Sequence, residues 1–385
     1  MNANRSGKAL SHVLLAVAAL STGGAPGRAI ETDPPFWSAG ERTLRAAPEA
    51  SPAASSSASA TVTGSARQRT SQRFILSGNG SGASKAADTP GIAVELPAGV
   101  AVEDLFVLGS RTFLSAIGES SETAVDRGPH PDLFLALIDA DGAHRLPVPA
   151  VATASASFER ANAVPMVKAD GDLAGLVWLE GADRQSFTVQ YAAWTGFAWG
   201  EPVEVAAPAA GSQLALSVAG LADGTSVAIW SRFDGQDDEI VAARFDGRNW
   251  SSPEPIAADN AVPDITPSIV AVPGGAVAVW SRYDGHEYRS MVARFDGTRW
   301  GSPAWAGPAG ATDPSLSRVA NRTWITFAGA SPHGWGVLEL DAEARVVAQA
   351  RTTTALQHRP ALTALGSRKV RLDWAASEST LDLQP

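Results

Sequence analysis

Val227–Pro253, VAIWSRFDGQDDEIVAARFDGRNWSSP, aligns without a gap to Val277–Pro303, VAVWSRYDGHEYRSMVARFDGTRWGSP. Tryptophan recurs at Trp230 and Trp280, and again at Trp250 and Trp300, with a period of 50 both times. A looser copy precedes the pair, LVWLEGADRQSFTVQYAAWTGFAWGEP, with Trp178 and Trp199. Further copies follow at TWITFAGA, where Phe327 takes the tryptophan position, and at VRLDWAAS around Trp374. EDLFVLGSRTFLSA, from Glu103, is an eroded first copy. Around Trp280 the unit divides into four short apolar runs, PSIVAV, AVAVWSR, SMVARF and RWGSPAW. Asp-Gly or Gly-Gly sits between runs, and Asp-Gly between alternating segments favours hairpins because both residues tolerate positive φ. Four-stranded units repeating every 40–50 residues predict an all-β fold, a β-propeller, in which stacked blades cover the faces that one sheet alone leaves wet.

Outward from the repeat, the chain divides into three. Residues 1–8 carry Arg5 and Lys8 and no acid, Ala9–Leu20 is mostly apolar, and small residues lead to Ala29. That layout predicts a signal peptide over 1–29, with cleavage after Ala29 or after Ser21 and an exported, periplasmic or extracellular product. The apolar run is too short for a membrane span, which needs about 20 residues, and no other segment approaches one. Residues 30–72 read as a linker, because 46–66 are almost wholly Ala, Ser, Pro, Thr and Gly and offer little to bury. Residues 73–385 are the propeller domain. At about 50 residues a blade, six blades fit this span, with RFILSG from Arg73 and GIAVELPAG from Gly91 joining the C-terminal strands in one closing blade. Five or seven blades are the alternative counts, and seven would have to consume the linker.

Composition narrows the chemistry. The 385 residues contain no cysteine, which removes disulfides, thiolate metal sites and cysteine nucleophiles. The net charge of −10 argues against a nucleic-acid partner. The histidines show no zinc-ligand spacing. No cofactor is implied; calcium has only two fragments of an oxygen-rich loop, Asp139-x-Asp141-Gly142 and Asp170-Gly171-Asp172.

The repeated turns RFDGRNW and RFDGTRW resemble the Asp-box turn of sialidase-type propellers, Ser-x-Asp-x-Gly-x-x-Trp. Gly247 and Trp250, and Gly297 and Trp300, match that box; Asp246 and Asp296 fall one place late, and Ala243 and Ala293 replace the serine. In that family the box is structural, so the likeness implies architecture rather than catalysis. A sialidase would also need an arginine cluster and an activated tyrosine, and no tyrosine occurs in the last two units. The same turns are similar to repeats of six-bladed fucose-binding lectins, but Ala242 and Val292 stand where those carry a carboxylate. From the residues alone, Asp-Gly makes the turn, Trp178, Trp199, Trp230, Trp250, Trp280 and Trp300 supply apolar surface between blades, and Trp250 is expected to be a large buried ring.

The loops between second and third strands lie at the opposite end of the blades. They present Arg232, Asp234, Asp237, Asp238, Arg282, Tyr283, Asp284, His286, His333 and Trp335, a set suited to polar or anionic ligands including sugars. The plainer alternative makes the Arg and Asp residues local turn pairs, and Arg282 is expected to be a surface residue of little consequence for stability. The function this predicts is an exported, non-catalytic propeller that binds a carbohydrate, an envelope component or a protein partner through that face. A glycoside hydrolase or lyase of propeller fold, and a structural scaffold in an envelope complex, are the alternatives.

Overall fold

A computed structural model describes residues 100–108, 111–119, 131–139, 141–153, 158–168, 171–207, 211–257, 260–319, 321–330 and 333–352, together with five isolated strands nearer the two ends of the chain and Arg45–Ala46. The signal-peptide segment, most of the linker segment and Asp170 lie outside the described residues. The described chain is built of β-strands, with no helix among them.

The first sheet holds β1 (Arg45–Ala46), β2 (Gln72–Leu76) and β3 (Ile92–Leu96). Five four-stranded sheets follow. The second has β4 (Ala101–Leu108), β5 (Arg111–Glu119), β6 (Pro131–Asp139) and β7 (Gly142–Arg145); the third has β8 (Glu159–Val167), β9 (Leu173–Gly181), β10 (Thr188–Ala193) and β11 (Val203–Ala206). The fourth comprises β12 (Gln213–Gly220), β13 (Ser226–Phe233), β14 (Asp238–Phe245) and β15 (Glu254–Pro255). The fifth comprises β16 (Asp264–Val272), β17 (Gly275–Tyr283), β18 (Tyr288–Phe295) and β19 (Ala304–Ala306). The sixth has β20 (Ala311–Val319), β21 (Arg322–Ala330), β22 (His333–Leu340) and β23 (Val346–Arg351); a three-stranded seventh has β24 (Ala361–Ala364), β25 (Lys369–Trp374) and β26 (Ser377–Asp382). Every pairing is antiparallel between neighbours in sequence, and the first strands of successive sheets from β4 to β24 lie side by side. This architecture is consistent with a β-propeller.

The shared closing blade expected from the sequence is not formed among the described strands. Gln72–Leu76 pairs with Ile92–Leu96 and with Arg45–Ala46, whereas the C-terminal strands make a sheet of their own, so six sheets become seven. The physical reason is local: β2 and β3 are neighbours in sequence, joined by the Gly/Ser-rich residues 77–91, and close a smaller loop than either would with the C-terminal strands. Arg45 and Ala46, within the segment read as linker, supply the third strand.

Each core lies between two sheets. Second strands are covered on both faces, which is why VAIW and VAVW run apolar without alternation. Trp178 packs among Leu108, Phe113 and Leu135 of the preceding sheet, Trp230 among Val177, Val189 and Tyr191, and Trp280 beside Val227, Ile229 and Ile240. All three are fully buried.

The first strands carry a second joining device. Four of them, β8, β12, β16 and β20, are kinked by an irregular register at a non-glycine residue of positive φ: Asn162 at 56°, Ala215 at 54°, Thr266 at 53° and Asp313 at 49°. Around these bulges, side chains of one sheet accept backbone N–H groups of the next. Asn162 N donates to Glu103 Oε2 (3.0 Å), Leu216 N to Asn162 Oδ1 (3.0 Å), Ile269 N to Ser217 Oγ (3.2 Å) and Leu316 N to Ser268 Oγ (3.0 Å). Buried N–H groups freed by the bulge must find acceptors, and the neighbouring sheet provides them.

Candidate functional site

The Asp-Gly turns decide which loop residues are available. Asp246 Oδ1 accepts from Arg248 N (2.8 Å) and Asn249 N (2.7 Å), and Asp296 Oδ1 from Thr298 N (2.8 Å) and Arg299 N (2.9 Å). At the opposite end of the strands, Asp234 Oδ1 accepts from Gln236 N (2.7 Å) and Asp237 N (3.2 Å), and Asp284 Oδ1 from His286 N (2.9 Å) and Glu287 N (3.0 Å). One aromatic-Asp-Gly device therefore builds two of the three turns of the repeat, with Gly235, Gly247, Gly285 and Gly297 all at positive φ. Asp234 and Asp284 are turn caps first. His286 is exposed beside them.

The turn tryptophans are only partly buried, unlike the ring expected at Trp250. Phe245 and Trp250 form a bridge with rings 5.2 Å apart, and Trp250 meets Tyr191 of the preceding sheet edge-on at 5.7 Å. Trp300 repeats the bridge with Phe295, and Trp199 Nε1 donates to Pro147 O of the preceding sheet at 2.7 Å. An outer position leaves one edge of each ring in water while the other clamps two sheets together.

Arg282 is not a surface residue. Its Nε donates to Asp264 Oδ1 (2.7 Å) and its Nη2 to Asp264 Oδ2 (2.5 Å), a two-pronged pair in which the Asp264 side chain is 0% and that of Arg282 16% exposed. The pairing follows from register, since Asp264 opens β16 directly opposite Arg282 on β17. The same rung holds Gln213 opposite Arg232 in the fourth sheet, and Arg160 opposite Glu180, with the charges reversed, in the third. Gln213 Oε1 accepts from Trp230 Nε1 (2.5 Å) and Glu180 Oε2 from Trp178 Nε1 (3.1 Å).

Around the Arg282 rung lies a set of carboxylates. Glu239 is 3% exposed; its Oε1 accepts from Asn260 N (3.2 Å) and Nδ2 (2.8 Å), while its Oε2 is buried without a donor. Burial, with Asp264 and Asp237 close by, pushes Glu239 up to about 7. Burial likewise raises the half-buried Asp238 to about 6, helped by Asp237 and Asp234. Burial pushes Asp264 up and the Arg282 fork pulls it back, while the pairing holds Arg282 above the usual guanidinium value. Tyr283 and Tyr288 face each other across the strand pair with rings 5.4 Å apart, and burial beside Asp238 raises the Tyr288 hydroxyl.

Thus the structure brings Arg282 together with Glu239, Asn260 and Asp264 and sets Asp238 beside Tyr288, while Tyr283 and Tyr288 stand on the face of the fifth sheet that carries Val277, Val279 and Val292 toward the sixth. It does not do so for all the expected residues. Trp335 is 6% exposed and belongs to the core of the sixth sheet, because β21 and β22 run on to Ala330 and His333 and leave almost no loop there. The His333 side chain lies outside the described residues. Asp264 was readable only through the repeat: QLALS (213–217) and DITPS (264–268) align at their serines and place a polar residue at the head of each first strand.

Among the described residues, no three His, Asp or Glu side chains are grouped to hold a metal ion. In the calcium-like fragments, Asp139 accepts from Asp141 N (2.9 Å) and contacts His144 Nε2 (3.3 Å), while Asp172 pairs with Arg111. No helix among the described residues is long and apolar enough to cross a membrane.

The fold and site define a repeat-built chain of propeller type, without a helix among the described residues, with a polar, acidic mouth where its fourth and fifth sheets meet. No family model and no curated protein matches it. Among solved structures it is similar to a protein of unknown function from Dyadobacter fermentans, at 13% identity over 74% of this chain and 94% of that one, with a TM-score of 0.48. It is also similar to Aleuria aurantia lectin in complex with alpha-methyl-L-fucoside (12% identity, 74% and 93% covered, TM-score 0.41) and to a glycosyl hydrolase from Bacteroides ovatus (13%, 63% and 84%, TM-score 0.34).

Proposed function

We propose that the protein is an exported, non-catalytic β-propeller that binds a carbohydrate of the cell envelope or its surroundings at the mouth between the fourth and fifth sheets. The observation that carries this is the placement of Asp238 and Asp264 beside Tyr288, whose ring pairs with that of Tyr283. Carboxylates suit the hydroxyl groups of a sugar, and aromatic faces suit its C–H surface. Export rests on the charged start, apolar run and small-residue exit of residues 1–29. A glycan array probed with the full chain tests the binding; no signal above that of a Glu239→Gln, Tyr283→Ala double variant would overturn it. N-terminal sequencing of the protein recovered from its host should begin near Ile30 or Thr22, and an intact Met1 would remove the export half.

One observation favours a hydrolase instead. Glu239, raised by burial to about 7, neighbours Asp264, whose carboxyl burial also raises and the Arg282 fork pulls back. An acid and a charged carboxylate are the pair that glycoside hydrolysis requires. Chromatography of polysaccharides incubated with the full chain separates the two readings: shortened products that vanish with Glu239→Gln establish turnover.

A further inference from the structure

We infer that the face of the fifth sheet turned to the fourth holds a singly charged acidic group and, resting on the carbohydrate reading above, that the ligand is a sugar bearing a carboxylate, paired with Arg289 and laid against Trp305. Register and packing put both residues on that face. Arg289 lies two residues before Met291 on β18, Trp305 stands directly opposite Met291 on β19, and Met291 packs into the core shared with the fourth sheet. The Arg289 guanidinium stacks on the Trp305 ring at 4.8 Å, yet Trp305 keeps 44% of its surface in water.

The repeat itself requires neither residue. Fifty positions earlier it carries Glu239 and Pro255 in their places. Glu239 stands opposite Arg232, so the fourth sheet sets unlike charges across its strands; Arg289 stands opposite Arg282, so the fifth sets like charges, which destabilises a strand pair. Arg282 has its carboxylate, Asp264, on both prongs. Arg289 has none: among the described residues no carboxylate lies within ion-pair distance of it, and its Nε is enclosed without an acceptor. Asp284, held low chiefly by the N–H groups of Glu287 and His286, feels the Arg289 charge only weakly. Asp238, across the junction on β14, is raised by burial, with Ser231, Asp237 and Asp234 as its neighbours and no arginine among them.

An arginine set opposite another, stacked on an open tryptophan and short of an acceptor, fits an anion supplied from outside. With Nε enclosed, the Nη edge of the fork is left to donate two parallel hydrogen bonds to a carboxylate, and the Trp305 ring suits the C–H face of the sugar that carries it. One unpaired guanidinium balances one negative charge; a phosphate dianion would keep half of its charge unmet. Asp264 does not oppose this, because it lies on β16 with Arg282 standing between it and Arg289.

The test is affinity electrophoresis of the full chain through native gels holding polygalacturonate, alginate, hyaluronan or dextran sulfate, and through gels holding the carboxyl-reduced form of each of the first three. The chain's net charge of −10 gives it no general attraction to a polyanion, so retardation reports a specific site. At least one of the three uronate polymers should retard the chain, with an apparent affinity about tenfold above that of its reduced form. Arg289→Gln should cut that affinity about tenfold while leaving the urea midpoint unchanged or raised, because it removes one of two opposed cations. Trp305→Ala should weaken it as well, and is the second variant should the first fail to fold. Equal retardation by a uronate polymer and its reduced form overturns the acidic-sugar inference and leaves carbohydrate binding standing. Retardation that survives both substitutions overturns the site. Dextran sulfate retarding the chain as strongly as the best uronate polymer keeps the anion and overturns the carboxylate. No retardation in any gel overturns the inference, and the glycan array then decides the carbohydrate reading by itself.

Discussion

Arg282 has the sequence position of a turn residue, directly before Tyr283-Asp284-Gly285, and the structural role of a core residue. The difference is its partner. Asp264 has no exposed side-chain surface, so Arg282→Ala strands a carboxylate in a place water cannot reach. Breaking a buried pair from one side costs about 3–5 kcal/mol; Asp284→Ala, which removes an exposed turn cap, should cost less. Denaturant melts of both variants check the ordering, and a second substitution, Asp264→Asn, should recover part of the Arg282→Ala loss because the stranded charge is gone. Two tryptophans offer the matching contrast. Trp230→Ala empties a fully enclosed site and should cost about 3–5 kcal/mol. Trp250→Ala removes a ring that already has one edge in water, so its cost should be smaller, on the order of 2 kcal/mol. Equal melts for the two tryptophan variants would mean that the outer ring is as enclosed as the inner one.

At the scale of the element, the unit of this chain is an aromatic-Asp-Gly turn used twice per sheet, and it was the most legible feature of the sequence. FDG at 233–235 and 245–247, YDG at 283–285 and FDG at 295–297 announce two turns in each of two sheets, and WTG at 194–196 announces one of a third. In the third, Thr195 Oγ1 replaces the Asp carboxylate and accepts from Ala198 N at 3.1 Å. The four-strand unit was legible for the same reason, since turns bound the apolar runs between them. What could not be read was register. Pairings such as Asp264 with Arg282, or Glu239 with Asn260, join residues whose types say nothing of burial until strands are aligned. The fourth strand was also overestimated: RWGSPAW yields only Ala304–Ala306, because Pro303 has no N–H and Trp300 leaves the ladder for a single bridge to Phe295. Glycines separate turn from strand by experiment. Gly247 has φ of 96° with open space at its Cβ direction, so Gly247→Ala should cost only the conformational penalty, about 1 kcal/mol. A Cβ on Gly275 would sit 1.9 Å from Phe295 O, so Gly275→Ala must part β17 from β18 and should cost on the order of 4 kcal/mol. Comparable melts for these two variants would contradict the close approach of the strands.

Across the whole molecule, two populations of carboxylates pull stability in opposite directions with pH. Turn caps such as Asp246, Asp284 and Asp296 are held below the usual value by the N–H groups they accept. Their contribution is present above the ordinary carboxylate range and is lost as pH falls through their depressed values. The other population sits where sheets meet. Glu103, which accepts the bulge N–H of Asn162, is raised by burial to about 7, as is Glu239, and Asp238 to about 6. A carboxyl whose folded value lies above its unfolded one binds its proton more tightly in the folded chain. Its stabilisation is therefore complete below the unfolded value and disappears as pH rises through the folded one. The chain's net negative charge grows over the same interval and adds repulsion. Stability should accordingly peak near pH 5, fall on the acid side as the turns lose their caps, and fall on the neutral side between about pH 5 and pH 8 as the sheet junctions ionise. Urea midpoints measured from pH 3 to pH 9 give this profile. Glu239→Gln should flatten the neutral limb while leaving the acid limb in place, because the amide removes one junction ionisation and touches no turn. A midpoint that rises steadily from pH 5 to pH 8 would show that these buried carboxyls ionise without cost, and the acidic mouth would then be open to water in the folded chain.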